Sequence, residues 1–204
     1  MNKYIKIVVI SILLLVGTLT ILYFGIKVYK SIKYEQRITE IVADDKEIEK
    51  KWLIKKEDVP YNLNDTGVRK FEIKQTYICF DPEMRVRDYN NGQSYEFTMK
   101  NNMSNDGLIR DEVNIDITKE QYDNLVIKQE GNSIYKTRYQ LYDDGQLIAI
   151  DIFHGDLDGL AYMEIEFKTE EESKNYKTPK WVIKDVTSDI NYKNGYLARY
   201  GIPK

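Results

Sequence analysis

One cysteine, one histidine and four prolines are all that 204 residues hold of the types that usually staple, ligate or break a fold. Cys79 has no second cysteine to pair with, so no intramolecular disulfide framework and no cysteine-based zinc site can form. His154 alone cannot build a histidine-rich metal centre. Little proline and 42% hydrophobic residues exclude disorder and low complexity for most of the chain. A net charge of −3 gives no bulk attraction for nucleic acid, and none is expected as a partner. The length fits one domain of ordinary size plus an appendage.

The appendage is an uninterrupted apolar run. Ile7 to Ile26, IVVISILLLVGTLTILYFGI, carries no charge and as a helix would span roughly 30 Å, the hydrocarbon thickness of a bilayer. A cleaved secretory signal has a shorter apolar core and a small-residue cleavage site; this run passes instead into Tyr23, Phe24, Lys27 and Tyr29. An uncleaved transmembrane anchor is expected over residues 5–29, giving a single-pass membrane protein. Lys27, Lys30, Lys33 and Arg37 follow it and outnumber Lys3 and Lys6, which places the rest of the chain in the cytoplasm. Apolar residues at 32, 38, 41 and 42 among mixed charges predict a juxtamembrane helical stalk over 30–45.

From residue 46 to 204 the spacing changes to a period of two. Glu47, Glu49 and Lys51 alternate with Ile48, Lys50 and Trp52; Arg85 and Arg87 flank Val86; Thr98 and Lys100 alternate with Phe97 and Met99. Arg110, Glu112, Asn114 and Asp116 alternate with Val113, Ile115 and Ile117, and Lys136 and Arg138 with Tyr135 and Tyr139. Asp151 lies between Ile150 and Ile152, and Glu164 and Glu166 alternate with Met163, Ile165 and Phe167. The turn signals Asn90-Asn91-Gly92, Asn105-Asp106-Gly107 and Asp143-Asp144-Gly145 separate these segments. The domain reads as mainly antiparallel β.

Periodicity leaves two arrangements open. Closed into a barrel, the strands could turn the charged face out around an apolar filling, or inward around a polar lumen. Chemistry favours the second. Charged pairs of one sign recur on one strand face (Glu47/Glu49, Arg85/Arg87, Lys136/Arg138, Glu164/Glu166), and like charges so placed repel unless opposite charge sits between them. A polyphosphate with divalent cations satisfies both kinds, since Arg and Lys bind phosphoryl oxygens and carboxylates hold Mg²⁺ or Mn²⁺.

The residues also carry a family resemblance. EIEKKWLI, Glu47 to Ile54, resembles the opening ExExK strand of the CYTH superfamily, which contains triphosphate tunnel metalloenzymes, thiamine triphosphatases and class IV adenylate cyclases. The succession continues through Arg85-x-Arg87, Thr98-x-Lys100, Lys136-x-Arg138, Asp151, Glu164-x-Glu166 and Val186-Thr187-x-Asp189, from about Lys46 to the C-terminus. The resemblance implies an eight-stranded antiparallel β-barrel tunnel with flanking helices, an α+β fold that is mainly β. It also implies a hydrolase that binds a triphosphate lengthwise with Mg²⁺ or Mn²⁺: inorganic triphosphate, thiamine triphosphate or ATP. By position, Lys51, Arg85, Arg87, Lys100, Arg110, Lys136 and Arg138 would grip phosphates. Glu47, Glu49, Glu112, Asp151, Glu164 and Glu166 would be the metal-associated acids, with Glu49, Lys51 and Glu166 catalytic. Asn114 departs from the pattern where an acid is usual, and the membrane helix is not part of it.

Two other functions share these residues. A class IV cyclase would carry His-Phe ahead of ExExK, where this chain has Ile41-Val42. A non-catalytic polyphosphate or nucleotide binder at the membrane draws support from Asn114 alone, and so many carboxylates disfavour an anion binder without metal. Among the remaining residues, Cys79 reads as a packed side chain rather than a nucleophile, His154 as a strand end, and Trp52 and Trp181 as exterior packing. Thr118 and Gln121 predict a capping box, Glu170 to Glu172 a solvated helix start, and Ser188 or Asp189 the cap of a C-terminal helix.

Overall fold

The computed structural model describes residues 15–29, 31–33, 46–102 and 109–204, and for 46, 47, 101, 102 and 109–111 the backbone alone. Anchor positions 5–14, most of the stalk and the turn at Asn105-Asp106-Gly107 lie outside these residues. Helix α1, Leu15–Lys33, is long and apolar enough to cross a bilayer, and none of its described residues is buried in the protein.

The strands are β1 Lys46–Leu53, β2 Arg69–Phe80, β3 Glu83–Tyr89, β4 Ser94–Asn102, β5 Ile109–Ile117, β6 Ile134–Asp143, β7 Gln146–His154, β8 Ala161–Phe167 and the two-residue β9 Lys184–Asp185. Helices α2 (Lys119–Val126), α3 (Glu170–Asn175) and α4 (Asn194–Tyr200) flank them. The long strands run β5-β4-β3-β2-β6-β7-β8-β1, every pairing antiparallel, so a mainly β architecture is what the alternation produces. Among the described residues the ends of this series meet over Lys46–Ile48, which pair with Ile109–Asp111. Beyond that, β1 gives the same edge to β9, with Trp52 opposite Asp185 and Leu53 opposite Lys184. The full-length closure expected of an eight-stranded barrel is therefore not reached, because a C-terminal segment takes the edge that β5 would need.

Local sequence accounts for the joints. Asp144 and Gly145 both have positive φ, 45° and 78°, as a two-residue hairpin between twisted strands demands, and they connect β6 to β7 where Asp143 pairs with Gln146. Thr118 Oγ1 accepts from the Gln121 amide at 3.2 Å while Gln121 Oε1 accepts from the Thr118 amide at 2.8 Å, which forms the expected capping box of α2. Thr169 Oγ1 caps α3 by accepting from Glu172 N at 3.1 Å. The C-terminal helix differs from expectation. Asp189 Oδ1 accepts from Asn191 N and caps only the 3-10 turn Ile190–Tyr192, after which Lys193 is extended and α4 starts at Asn194. One carboxylate can serve only the amides within about a turn of it, so the segment forms two short pieces.

β7 is buried on both faces, and the two faces have different chemistry. Its outer residues Ile148, Ile150 and Ile152 join Trp52, Met163 and Ile165 in a core. The β1–β2 connection covers that core through Val59, Tyr61, Leu63 and Val68, and the segment after β8 through Tyr176, Trp181 and Val182. Trp52 is fully buried with its ring 5.5 Å from that of Tyr176, and Trp181 meets Tyr61 edge-on at 6.2 Å, so both tryptophans pack outside the sheet as expected. A second apolar cluster sits at one end of the inner face. Tyr77, Phe153 and Tyr162 pack there with Leu157, Leu160, Val186 and, from α4, Leu197 and Ala198. Gly131 lets α4 approach: a Cβ at this position would lie 2.6 Å from the Ala198 carbonyl oxygen, and its φ is +68°.

Candidate active site

The inner face carries the charges. On the wall formed by β1, β8, β7 and β6, strand register sets Lys51 opposite Glu164, Glu49 opposite Glu166 and Arg138 opposite Asp151. Lys51 Nζ lies 2.9 Å from Glu164 Oε1 and 3.7 Å from Glu49 Oε1. Arg138 donates through Nε and Nη2 to the two oxygens of Asp151, each at 2.7 Å, and Nη2 also reaches over β7 to Glu164 Oε2. Lys136 Nζ completes the set by pairing with Asp151 Oδ2. Asp151 has no exposed surface, so three charge-assisted bonds replace its hydration.

These environments move the proton equilibria. Burial pushes the Lys136 ammonium down to about 8, the neighbouring Arg138 cation adding to it. Burial alone would raise the Asp151 carboxyl, but Arg138 and Lys136 outweigh it and hold the group below its ordinary range. Glu164 is held well below that range in the same way: Lys51, Arg138 and Lys136 overcome desolvation.

The wall formed by β3, β4 and β5 is also polar. Arg85 is 3% exposed; its Nη1 pairs with Glu83 Oε1 at 2.5 Å and its Nη2 lies 3.7 Å from Glu112 Oε1. Its Nε is buried and has no hydrogen-bond partner among the described residues. Arg87 donates to Gln75 Oε1 at 3.1 Å and to Glu96 Oε1 at 2.5 Å. Lys100 Nζ pairs with Glu112 Oε2. Thr98 Oγ1 lies 2.7 Å from Asn114 Oδ1, so the residue that departs from the expected acid is engaged by a neutral hydroxyl. Glu47 and Arg110 face each other in the β1–β5 pairing, and their side chains are outside the described set.

The predicted residues whose side chains are described thus gather on one face but not at one point. Glu112 serves Arg85 and Lys100 on one wall, while Asp151 and Glu164 serve Lys51, Lys136 and Arg138 on the other. No cluster of three acid, histidine or cysteine ligands is assembled among the described residues. The pair best suited to a hard divalent cation is Glu49 and Glu166, two carboxylates directly opposite on neighbouring strands. Cys79 and His154 stand apart: Cys79 Sγ lies 3.3 Å from Asp81 O, and His154 Nε2 lies 2.7 Å from Thr137 Oγ1 at the end of β7.

The sequence model of the CYTH domain matches residues 45–196. The chain belongs to the CYTH family. An inorganic triphosphatase of Nitrosomonas europaea is 34% identical over 156 residues, covering 74% of this chain and 96% of that protein. An inorganic triphosphatase of Acetivibrio thermocellus is 32% identical over 157 residues, 76% of this chain and 94% of the relative. A crystal structure of an inorganic triphosphatase superposes with a TM-score of 0.53 at 33% identity, over 74% of this chain and 93% of that one. Within this CYTH chain the structure adds Glu83, Glu96 and Gln75 to the polar face, residues that motif reading passed over. Glu83 and Glu96 could have been found two places before Arg85 and Thr98, on the same face. Gln75 could not, because only the β2–β3 register sets it opposite Arg87.

Proposed function

We propose that the chain hydrolyses a triphosphate, inorganic triphosphate first, with Mg²⁺ or Mn²⁺, on the inner face described above. The observation that carries this reading is the set of cations brought onto one inner face, Arg85 and Lys100 on one wall and Lys51, Lys136 and Arg138 on the other, each held in place by a carboxylate. The names of the two relatives support the same substrate class. The acids support the need for metal: the cations Lys51, Arg85, Arg87, Lys100, Lys136 and Arg138 are matched by at least as many carboxylates, so a bare polyanion gains no net attraction there. Glu49 and Glu166 would hold the divalent cation, which when bound neutralises phosphoryl oxygens and strengthens the electrophile.

The protein's own groups divide the remaining work. Arg85, Arg87 and Lys100 on one wall and Lys51, Lys136 and Arg138 on the other bind successive phosphoryl oxygens and absorb charge as the bridging bond breaks. Whichever of Glu166 and Glu49 keeps an oxygen free of the cation takes the proton of the water attacking the terminal phosphoryl group, in line with the departing diphosphate. The apolar cluster under α4 blocks one end of the face, so substrate enters from the other and bulk water is limited around the reacting group. Helix α1 anchors this domain to a membrane by a single pass, with the domain in the cytoplasm, where the basic residues after the helix favour it.

The test uses the full chain in detergent with inorganic triphosphate and Mg²⁺ or Mn²⁺. Phosphate release that stops with a chelator is the expected result. Lys51→Ala and Glu166→Ala should each lower turnover by about a hundredfold or more while the far-ultraviolet circular-dichroism spectrum at the assay temperature stays that of the folded chain. Activity indifferent to chelator, or retained by both variants, would overturn the assignment. Protease protection in sealed vesicles reads the orientation.

A further inference from the structure

We propose that Thr187 is a positioning residue for Lys51, its hydroxyl fixing the Lys51 peptide and with it the point from which the ammonium reaches into the site. The inference rests on the reading of Lys51 as a phosphate-gripping residue. Strand β1 changes neighbours along one edge: Lys46–Ile48 pair with β5, and Trp52 and Leu53 with β9. Lys51 falls between the two pairings and is only 4% exposed, so its peptide groups need partners other than water. Those partners come from the segment leading to α4. The Val186 amide donates to Lys51 O at 2.9 Å. The Lys51 amide donates to Thr187 Oγ1 at 3.0 Å, and that hydroxyl returns its own hydrogen toward Lys51 O at 3.4 Å. One side-chain oxygen therefore does for Lys51 what a neighbouring strand does elsewhere.

Thr187 is itself well fixed. Its amide donates to Asp185 Oδ1 at 2.9 Å, and Val186 beside it is buried in the apolar cluster that α4 completes. On its opposite side β1 is in register with β8, Lys51 facing Glu164, whose Oε1 is 2.9 Å from the ammonium. A shift of the Lys51 peptide thus moves the ammonium against Glu164 and Glu49. A valine at 187 keeps the shape and removes the oxygen; a serine keeps the oxygen.

The experiment compares Thr187→Val, Thr187→Ala and Thr187→Ser in the full chain in detergent. Hydrolysis of inorganic triphosphate with Mg²⁺ and the side-chain NMR signal of Lys51 are both read. Val and Ala should lower kcat by about tenfold or more with KM moved by less than about threefold, because misplacement of a reacting group by about an ångström is felt mainly in the transition state. Serine should stay within about twofold of the unchanged chain, and the Lys51 signal should move in Val and Ala but not in Ser. The proposal is overturned if Val and Ala turn over normally, if Ser loses as much as Val, or if the Lys51 signal never moves. Should Val fail to fold, the Ala and Ser pair decides. If the unchanged chain hydrolyses nothing, the functional reading falls by itself, and the Lys51 signal in the three variants still decides the role of Thr187.

Discussion

The two walls of the inner face come from the same alternating pattern and differ in what stands behind them. Behind Lys51, Glu164, Asp151 and Arg138 lies the outer core of Trp52, Ile150, Met163 and Ile165, all fully buried under two long connections. Behind Glu112, along β5, the outer face is open: Val113 is 43% exposed and Ile115 51%. The acids differ accordingly: Asp151 and Glu164 on the first wall keep 0% and 6% of their side-chain surface, whereas Glu83, Glu96 and Glu112 on the second keep 22%, 21% and 12%, although Arg85 there is as enclosed as Lys51. The difference teaches that dense inward charge is tolerated where an apolar layer clamps the strands from outside. A network so enclosed must be complete, since any unmatched member stays in a low-dielectric setting.

The sharpest way to break this comparison is Asp151→Ala. It leaves Lys136 and Arg138 without their shared carboxylate and should cost about 3 to 5 kcal/mol in urea unfolding. A loss below about 1 kcal/mol, the size expected of an exposed pair, would show that the first wall is no more enclosed than the second.

Acid titration comes next. Asp151 and Glu164 are held below their ordinary ranges in the folded chain, so the folded state binds fewer protons than the unfolded one as pH falls. Their stabilisation is complete above the unfolded carboxylate value of about 4 and is lost progressively below it, each tenfold difference in proton affinity between the two states being worth about 1.4 kcal/mol. Urea midpoints of the metal-free protein should fall steadily from pH 5 toward pH 3, and a flat profile would contradict the pairing. Lys136 has the opposite origin: pushed down to about 8, against about 10.4 when unfolded, it adds stability as pH rises between those values. A Lys136 carbon resonance titrating near 8 would check it.

The smallest effect separates the outer faces. Ile150→Val should cost about 0.5 to 1.5 kcal/mol because a buried methyl leaves a void, whereas Ile115→Val should stay within about 0.5 kcal/mol. Equal losses in thermal melts would mean that β5 is covered in solution.

Much of this was readable beforehand. Glu49 and Lys51, Arg85 and Arg87, Lys136 and Arg138 share their strand faces simply because successive side chains point opposite ways. Thr118-x-x-Gln121 and Asp144-Gly145 announce their cap and turn through local chemistry alone. The pairing of Arg138 with both Asp151 and Glu164 was not readable, since residues 138, 151 and 164 meet only through two strand registers. The role of Thr187 was hidden for the same reason, its partner being 136 positions away in the chain.

By itself the sequence determined the strands, which residues share a face, and an apolar helix ahead of them, because these follow from side-chain period and composition within short stretches. Tertiary structure decided which face turns inward, where the ring of strands stays open, and which acid answers each cation. Alternation is unchanged when the two faces are exchanged, and only the connections that bury one face against Ile150 and Trp52 break that symmetry.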